Sequence, residues 1–86
     1  MTPKKLGSDW ELLITGVTSF TAQCQSRQEA EVLLAPSLPA STVAGIMLEK
    51  GAAADENNMT GDVSGGGNLY GRSYGGSSNV ALISHT

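Results

Sequence analysis

Apolar and polar residues alternate nearly one for one through the first third of the chain, and a period of two marks extended strands. Trp10-Glu11-Leu12-Leu13-Ile14-Thr15 sets Trp10, Leu12 and Ile14 on one face of a strand. Gly16 interrupts, and the alternation resumes over residues 17–25. There Thr18, Phe20, Ala22 and Cys24 share a face opposite Thr21, Gln23 and Gln25. β-Branched and aromatic residues in this pattern predict two half-buried strands with Trp10 and Phe20 in the core.

Residues 26–35 fit two patterns. Ser26-Arg27-Gln28-Glu29 matches a capping box, and good helix formers fill residues 28–35. Ala30, Val32 and Leu34 also alternate, however, and Pro36 stops the run after about two helical turns, too few for a stable isolated helix. A turn at 26–29 and a strand at 30–35 is the favoured reading, with a helix over 28–35 as its competitor. Pro36 and Pro39 make residues 36–41 a loop. Ile46, Met47 and Leu48 form a short apolar run within residues 43–50, and the Asn and Asp content of residues 51–58 favours a loop.

Glycine organises the rest. A weak strand at 59–63, a Gly-rich turn at 64–67, a strand at 68–74, a Gly/Ser turn at 75–78 and a last strand at 79–84 follow one another. Six to seven short strands with turns about every 8–12 residues predict an all-β domain, a compact antiparallel β-sandwich or barrel. Residues 1–9 are polar and predict a flexible N-terminal arm, leaving residues 10–86 as a single domain.

Composition narrows the function classes. A chain of 86 residues makes one domain. On folding, such a chain hides only about 60–65% of the surface it exposes when unfolded, so a partner subunit is an expected support. Cys24 is the only cysteine and His85 the only histidine, so neither a disulfide nor a zinc site with about four N/S ligands can be assembled. Cys24 is expected to be a small buried hydrophobe. A net charge of −3, with Lys4-Lys5 as the one Lys/Arg pair, argues against nucleic acid, and aromatic residues are too sparse for a base-stacking platform.

No apolar run reaches the roughly 18–20 residues that span a bilayer, so no membrane association is expected. Leu6-Gly7-Ser8-Asp9 stands where a signal peptide would place its apolar stretch. Synthesis in the cytoplasm is therefore expected, and a lone cysteine suits that compartment.

The search for chemistry predicts no catalytic, metal or cofactor-binding residues, and hence no enzyme. His85 lies next to the chain end, where a proton-transfer geometry is hard to hold. Asp55, Glu56 and Asp62 lack the alternating oxygen ligands and closing Glu of a calcium loop. The Gly-rich segment has no Gly-x-Gly-x-x-Gly spacing and no Gly-Lys-Ser/Thr. Asn58-Met59-Thr60 matches a glycosylation sequon, with nothing else pointing to secretion. Arg72, placed at i±2 from Tyr70 and Tyr74, is either a surface arginine stacked on two tyrosines or an interface anchor. Lys4, Lys5, Tyr70, Arg72 and Tyr74 are the candidate interface residues.

The order of these features resembles a group of small tailed-bacteriophage virion proteins. The residues that carry the likeness are Trp10-Glu11-Leu12-Leu13 and the Thr/Val-rich strand of residues 17–25. They are followed by a strand ending in the Pro/Ala/Ser loop (residues 32–41) and by Gly45-Ile46-Met47-Leu48-Glu49-Lys50-Gly51. Leu69-Tyr70-Gly71-Arg72-Ser73 and Val80-Ala81-Leu82-Ile83 complete the pattern. The likeness spans residues 10–84 and is one of pattern. The long stretch at 52–58 and the Lys-bearing arm depart from it. The resemblance implies a capsid decoration (cement) protein in the virion, non-enzymatic, bound to the major capsid protein or another virion protein as a symmetric homo-oligomer, with a trimer favoured. The arm could then order on an acidic capsid face through Lys4 and Lys5. Rival readings are a tail or fibre component that binds a receptor or glycan, and a small cellular protein-interaction domain.

Overall fold

In the computed structural model, residues 4–26, 28–55, 67–74, 76 and 78–85 are described, and eight strands run among them. In chain order they are β1 (Lys4–Leu6), β2 (Glu11–Val17), β3 (Phe20–Cys24), β4 (Ala30–Ala35), β5 (Ile46–Leu48), β6 (Ala53–Asp55), β7 (Gly67–Ser73) and β8 (Ser78–His85). They form two four-stranded antiparallel sheets, β1-β8-β3-β6 and β2-β7-β4-β5, packed together as an open sandwich. The all-β expectation holds, and of its two alternatives the sandwich is the one seen.

β3 follows its sequence pattern. Phe20, Ala22 and Cys24 are buried while Thr21 and Gln23 are partly exposed. Thr18 is exposed and lies before the strand begins. Residues 30–35 are the strand β4 rather than a helix, with Ala30 and Val32 fully buried. Phe20, Leu6, Leu48, Leu69, Val17, Val32 and Val80 are the largest fully buried side chains, and all belong to the core cluster.

Three expectations need correction. Among the described residues the strand count is eight where six to seven were expected, because two three-residue strands join the sheets. One is β1, inside the stretch expected to be a free arm. Lys4, Lys5 and Leu6 pair with Val80, Asn79 and Ser78, and Leu6 is fully buried. The other is β6, in a stretch expected to be a loop, where Ala53 and Ala54 pair with Gln23 and Ala22 of β3. The expected strand at 59–63 and turn at 64–66 lie outside the described residues.

The third correction concerns β2. Its register with β7 shifts between Leu12 and Ile14 and again between Ile14 and Val17. Each irregularity resets the alternation of faces. Leu13 and Ile14 therefore both pack partly against the core, while Leu12 is 42% exposed. Leu12→Ala is expected to cost less than about 1 kcal/mol, against the roughly 2–5 kcal/mol of a buried leucine. Urea denaturation of the two proteins checks this, and a loss above about 2 kcal/mol would mean that Leu12 is covered.

The sheet edges are uneven. β1, β5 and β6 are three residues long, whereas the edge strand β2 has seven. Gly16 of β2 adopts φ +64°, a left-handed conformation that bends the strand. Across the gap between the sheets, the Lys4 Nζ donates to the Leu12 carbonyl at 3.0 Å and lies 3.7 Å from the Glu11 carboxylate. A bent strand with a lysine on its carbonyl is a poor template for a further strand.

Candidate functional site

The most elaborate polar arrangement among the described residues sits on the outer face of the β2-β7-β4-β5 sheet. β7 and β4 are its two central strands, and Arg72 lies opposite Glu31 in their register. At Gly71 a Cβ would point at Leu6 and Leu13, into the sandwich, so the neighbouring Tyr70 and Arg72 side chains project outward.

There Arg72 meets four partners. Its Nε donates to Glu31 Oε1 at 3.1 Å, Nη1 to the Ser41 carbonyl at 2.8 Å and Nη2 to the Val43 carbonyl at 3.0 Å. Its guanidinium carbon lies 4.3 Å from the centre of the Trp10 ring. Glu31 completes the arrangement by accepting the Gly45 N–H on Oε2 at 2.9 Å. The planar fork of an arginine matches several acceptors at once and stacks on an aromatic face, which a lysine cannot do.

The connection from β4 to β5 is thereby strapped across the sheet. Gly45 is required by this close approach, since a Cβ there would stand 2.5 Å from the Val32 carbonyl oxygen and 2.8 Å from Trp10 Cη2. At the other end of the strap, Asn68 Nδ2 donates to the Pro36 carbonyl at 3.3 Å, and Asn68 Oδ1 accepts the Gly16 N–H at 3.0 Å. The side chains of Arg72 and Glu31 are only 14% and 8% exposed, so their charges cancel inside the structure rather than facing a partner. Trp10 is buried as expected, but on this outer face beneath the strap, apart from the inter-sheet cluster. Its Nε1 is buried without an acceptor among the described residues.

The five candidate interface residues are not brought together. Arg72 stacks on Trp10 and not on the two tyrosines, and its donors are engaged within the chain. Tyr70 is 6% exposed, between Leu12 and Leu33 in the register, with Asn68 Nδ2 at 3.5 Å from its hydroxyl. Tyr74 stands just beyond β7 and is 54% exposed, its N–H donating to the Glu29 carbonyl at 2.9 Å. Lys4 and Lys5 belong to the other sheet, with Lys4 turned to the edge of β2 and Lys5 exposed.

Cys24 is fully buried, and its thiol donates to the Gln28 carbonyl at 3.2 Å. An open depression of about 480 Å³ lies beside it, lined by Gln23, Gln25, Ser26, Lys50 and Gly51 as well as Cys24. Its side chains are mostly occupied with one another: Gln23 Nε2 donates to the Gly51 carbonyl at 3.1 Å and Gln25 Nε2 to Gln23 Oε1 at 3.2 Å. Among the described residues no group of three or more His, Cys, Asp or Glu is placed to hold a metal ion. Glu56 and Asp62, two of the three acids considered for such a role, lie outside the described residues.

Sequence reasoning singled out Arg72 but not Glu31, Trp10 or the strap carbonyls as its partners. One signal was available. Glu31 is the only charged residue in the otherwise apolar strand Ala30–Ala35, and it calls for a counter-charge. No family model, curated protein or solved structure matches the chain.

Proposed function

We propose that the chain is a non-enzymatic structural protein of a phage particle. In this reading it binds the capsid surface as a decoration protein and works as a symmetric homo-oligomer. The observation that carries the reading is how the site is used. Its arginine, carboxylate and indole fix a loop of the chain itself, so these polar groups shape a surface rather than standing exposed as reactive groups. A rigid two-sheet domain repeated over a lattice holds on through many modest contacts, because linked binding events multiply in avidity. The pattern resemblance over residues 10–84 points the same way.

The glycan-binding alternative has less support. Trp10, Phe20 and Tyr70 are buried, which leaves Tyr74 as the one exposed aromatic of the chain, too little for a stacking platform.

Quantitative mass spectrometry of virus particles from the source tests the proposal by counting this chain against the major shell protein. A ratio of about one to one is the expected result. A ratio of a few per cent would move the chain to a tail or vertex. Absence from particles would remove the phage reading and leave a cellular interaction domain.

A further inference from the structure

The strap between β4 and β5, residues 36–45, covers part of the sheet without putting an apolar side chain into the core. Residues 36–38 and 40–44 are all exposed, and none of the strap belongs to the inter-sheet cluster or packs on it. What holds the strap is polar. Asn68 bonds the Pro36 carbonyl at one end, and Glu31 accepts the Gly45 N–H at the other. Between those ends the tethers among the described residues are the two Arg72 bonds, to the Ser41 and Val43 carbonyls, and both are open to solvent. The strap's own backbone adds one bond, from the Val43 N–H to the Ala40 carbonyl at 3.0 Å. A segment with few buried apolar contacts and exposed hydrogen bonds opens at a lower free energy than the core beside it.

Apolar anchors bound the strap on both sides. Leu34 and Ile46 pack against the core, and Leu48 is 1% exposed, so β4 and β5 stay paired when the residues between them lift. Trp10 is what they would uncover. It is 6% exposed although it stands on the outer face and outside the core cluster, so its cover is Arg72 and the strap. A Cβ at Gly45 would stand 2.8 Å from Trp10 Cη2, which puts the end of the strap directly on the ring. The indole N–H meets no acceptor among the described residues, so closure keeps a buried donor unpaired, and access to solvent relieves it.

We propose that residues 36–45 are a lid over Trp10, held shut by Arg72, which opens while both sheets stay closed. The covered ion pair does not oppose this motion. Arg72 bonds Glu31 through Nε and the strap through Nη1 and Nη2, so lifting the strap frees the two outer nitrogens and leaves the charges paired. The closed lid withholds from solvent a tryptophan and an arginine, two residue types that dominate binding surfaces. The lid is independent of the particle reading above and stands or falls without it.

Trp10 is the only tryptophan of the chain, so its indole reports on the lid without interference. Hydrogen exchange of the full chain, followed by NMR from zero to moderate urea, is the test. The indole N–H and the Val43 amide should exchange together, each about a hundredfold less protected than the slowest amides of β4 and β7. Their exchange should depend little on urea, because opening the lid exposes little surface. Arg72→Lys, which keeps a cation beside Glu31 but loses the fork, should speed indole exchange about tenfold. Gly45→Ala is a wedge, since its Cβ would stand 2.5 Å from the Val32 carbonyl oxygen. That variant should keep a cooperative urea transition while acrylamide quenching of Trp10 rises about threefold or more. An indole that exchanges only with the slowest sheet amides, and with their urea dependence, would overturn the proposal. So would a fast Val43 amide above a protected indole. A folded Gly45→Ala chain with Trp10 as protected as in the parent would sink it, as would loss of the fold, because a separable lid relieves the clash by lifting. An unchanged rate in Arg72→Lys would overturn the part given to Arg72.

Discussion

Replacing Arg72 by alanine is expected to destabilise the domain by about 3–5 kcal/mol, the cost of leaving one member of a covered ion pair behind. The Glu31 side chain, 8% exposed, would be left with the Gly45 N–H as its remaining partner of the clamp. The Ser41 and Val43 carbonyls would lose the donors that hold the strap, and Trp10 would lose the cation over its ring. Urea denaturation measures the loss, and limited proteolysis should show faster cleavage between Ser37 and Val43. Arg72→Lys should recover only part of the stability, because an ammonium cannot meet three acceptors in the plane of a guanidinium. Arg72→Met combined with Glu31→Leu should cost less than Arg72→Ala alone, since no unpaired carboxylate is then left behind. A loss below about 1 kcal/mol for Arg72→Ala would mean that water solvates Glu31 and that the strap holds without its clamp.

Phe20→Ala is expected to be as damaging for a different reason. Phe20 opens β3, is 1% exposed and is the largest of the fully buried side chains. Removing a buried phenyl ring costs about 3–5 kcal/mol in lost transfer energy and residual cavity. A domain of this length has about 5–10 kcal/mol in all, so roughly half of its stability would go. The denaturation midpoint should fall steeply, whereas Tyr74→Ala should stay within about 0.5 kcal/mol of the parent. A small effect at Phe20 would mean that the core collapses readily into the space.

How legible the fold was depends on how local each cause is. The alternation at residues 20–24 gave the buried face of β3 correctly, and that at 30–35 gave Ala30 and Val32 of β4, although Glu31 between them is buried too, beneath the strap rather than in the core. β2 misled at Leu12, since a register shift is a property of the pair β2–β7 and leaves no mark in either sequence alone. β1 and β6 were missed for a related reason. Lys4–Leu6 and Ala53–Asp55 have modest strand propensity and become strands because β8 and β3 offer them an edge. Of the site, Arg72 stood out as an arginine flanked by tyrosines, but its partners come from β4, the strap and the residue before β2. No spacing rule links such distant residues. The strap itself was foreseen as a loop from its prolines, while its attachment to the sheet face was not.

The sheet β1-β8-β3-β6 has a consequence for the order of events in synthesis. β8 lies between β1 and β3 and bonds to both, yet it follows β3 by more than fifty residues. In both sheets only β4 and β5 are neighbours in sequence as well as in space. Every other pairing must close a long loop before it gains a bond, so folding on the millisecond-to-second scale is expected. On the ribosome, where about 5–20 residues are added each second, β1 and β3 emerge early and wait for the strand that joins them. Half of the sandwich can therefore close only once β8 has left the ribosome, and until then its open strands must be kept from those of neighbouring nascent chains.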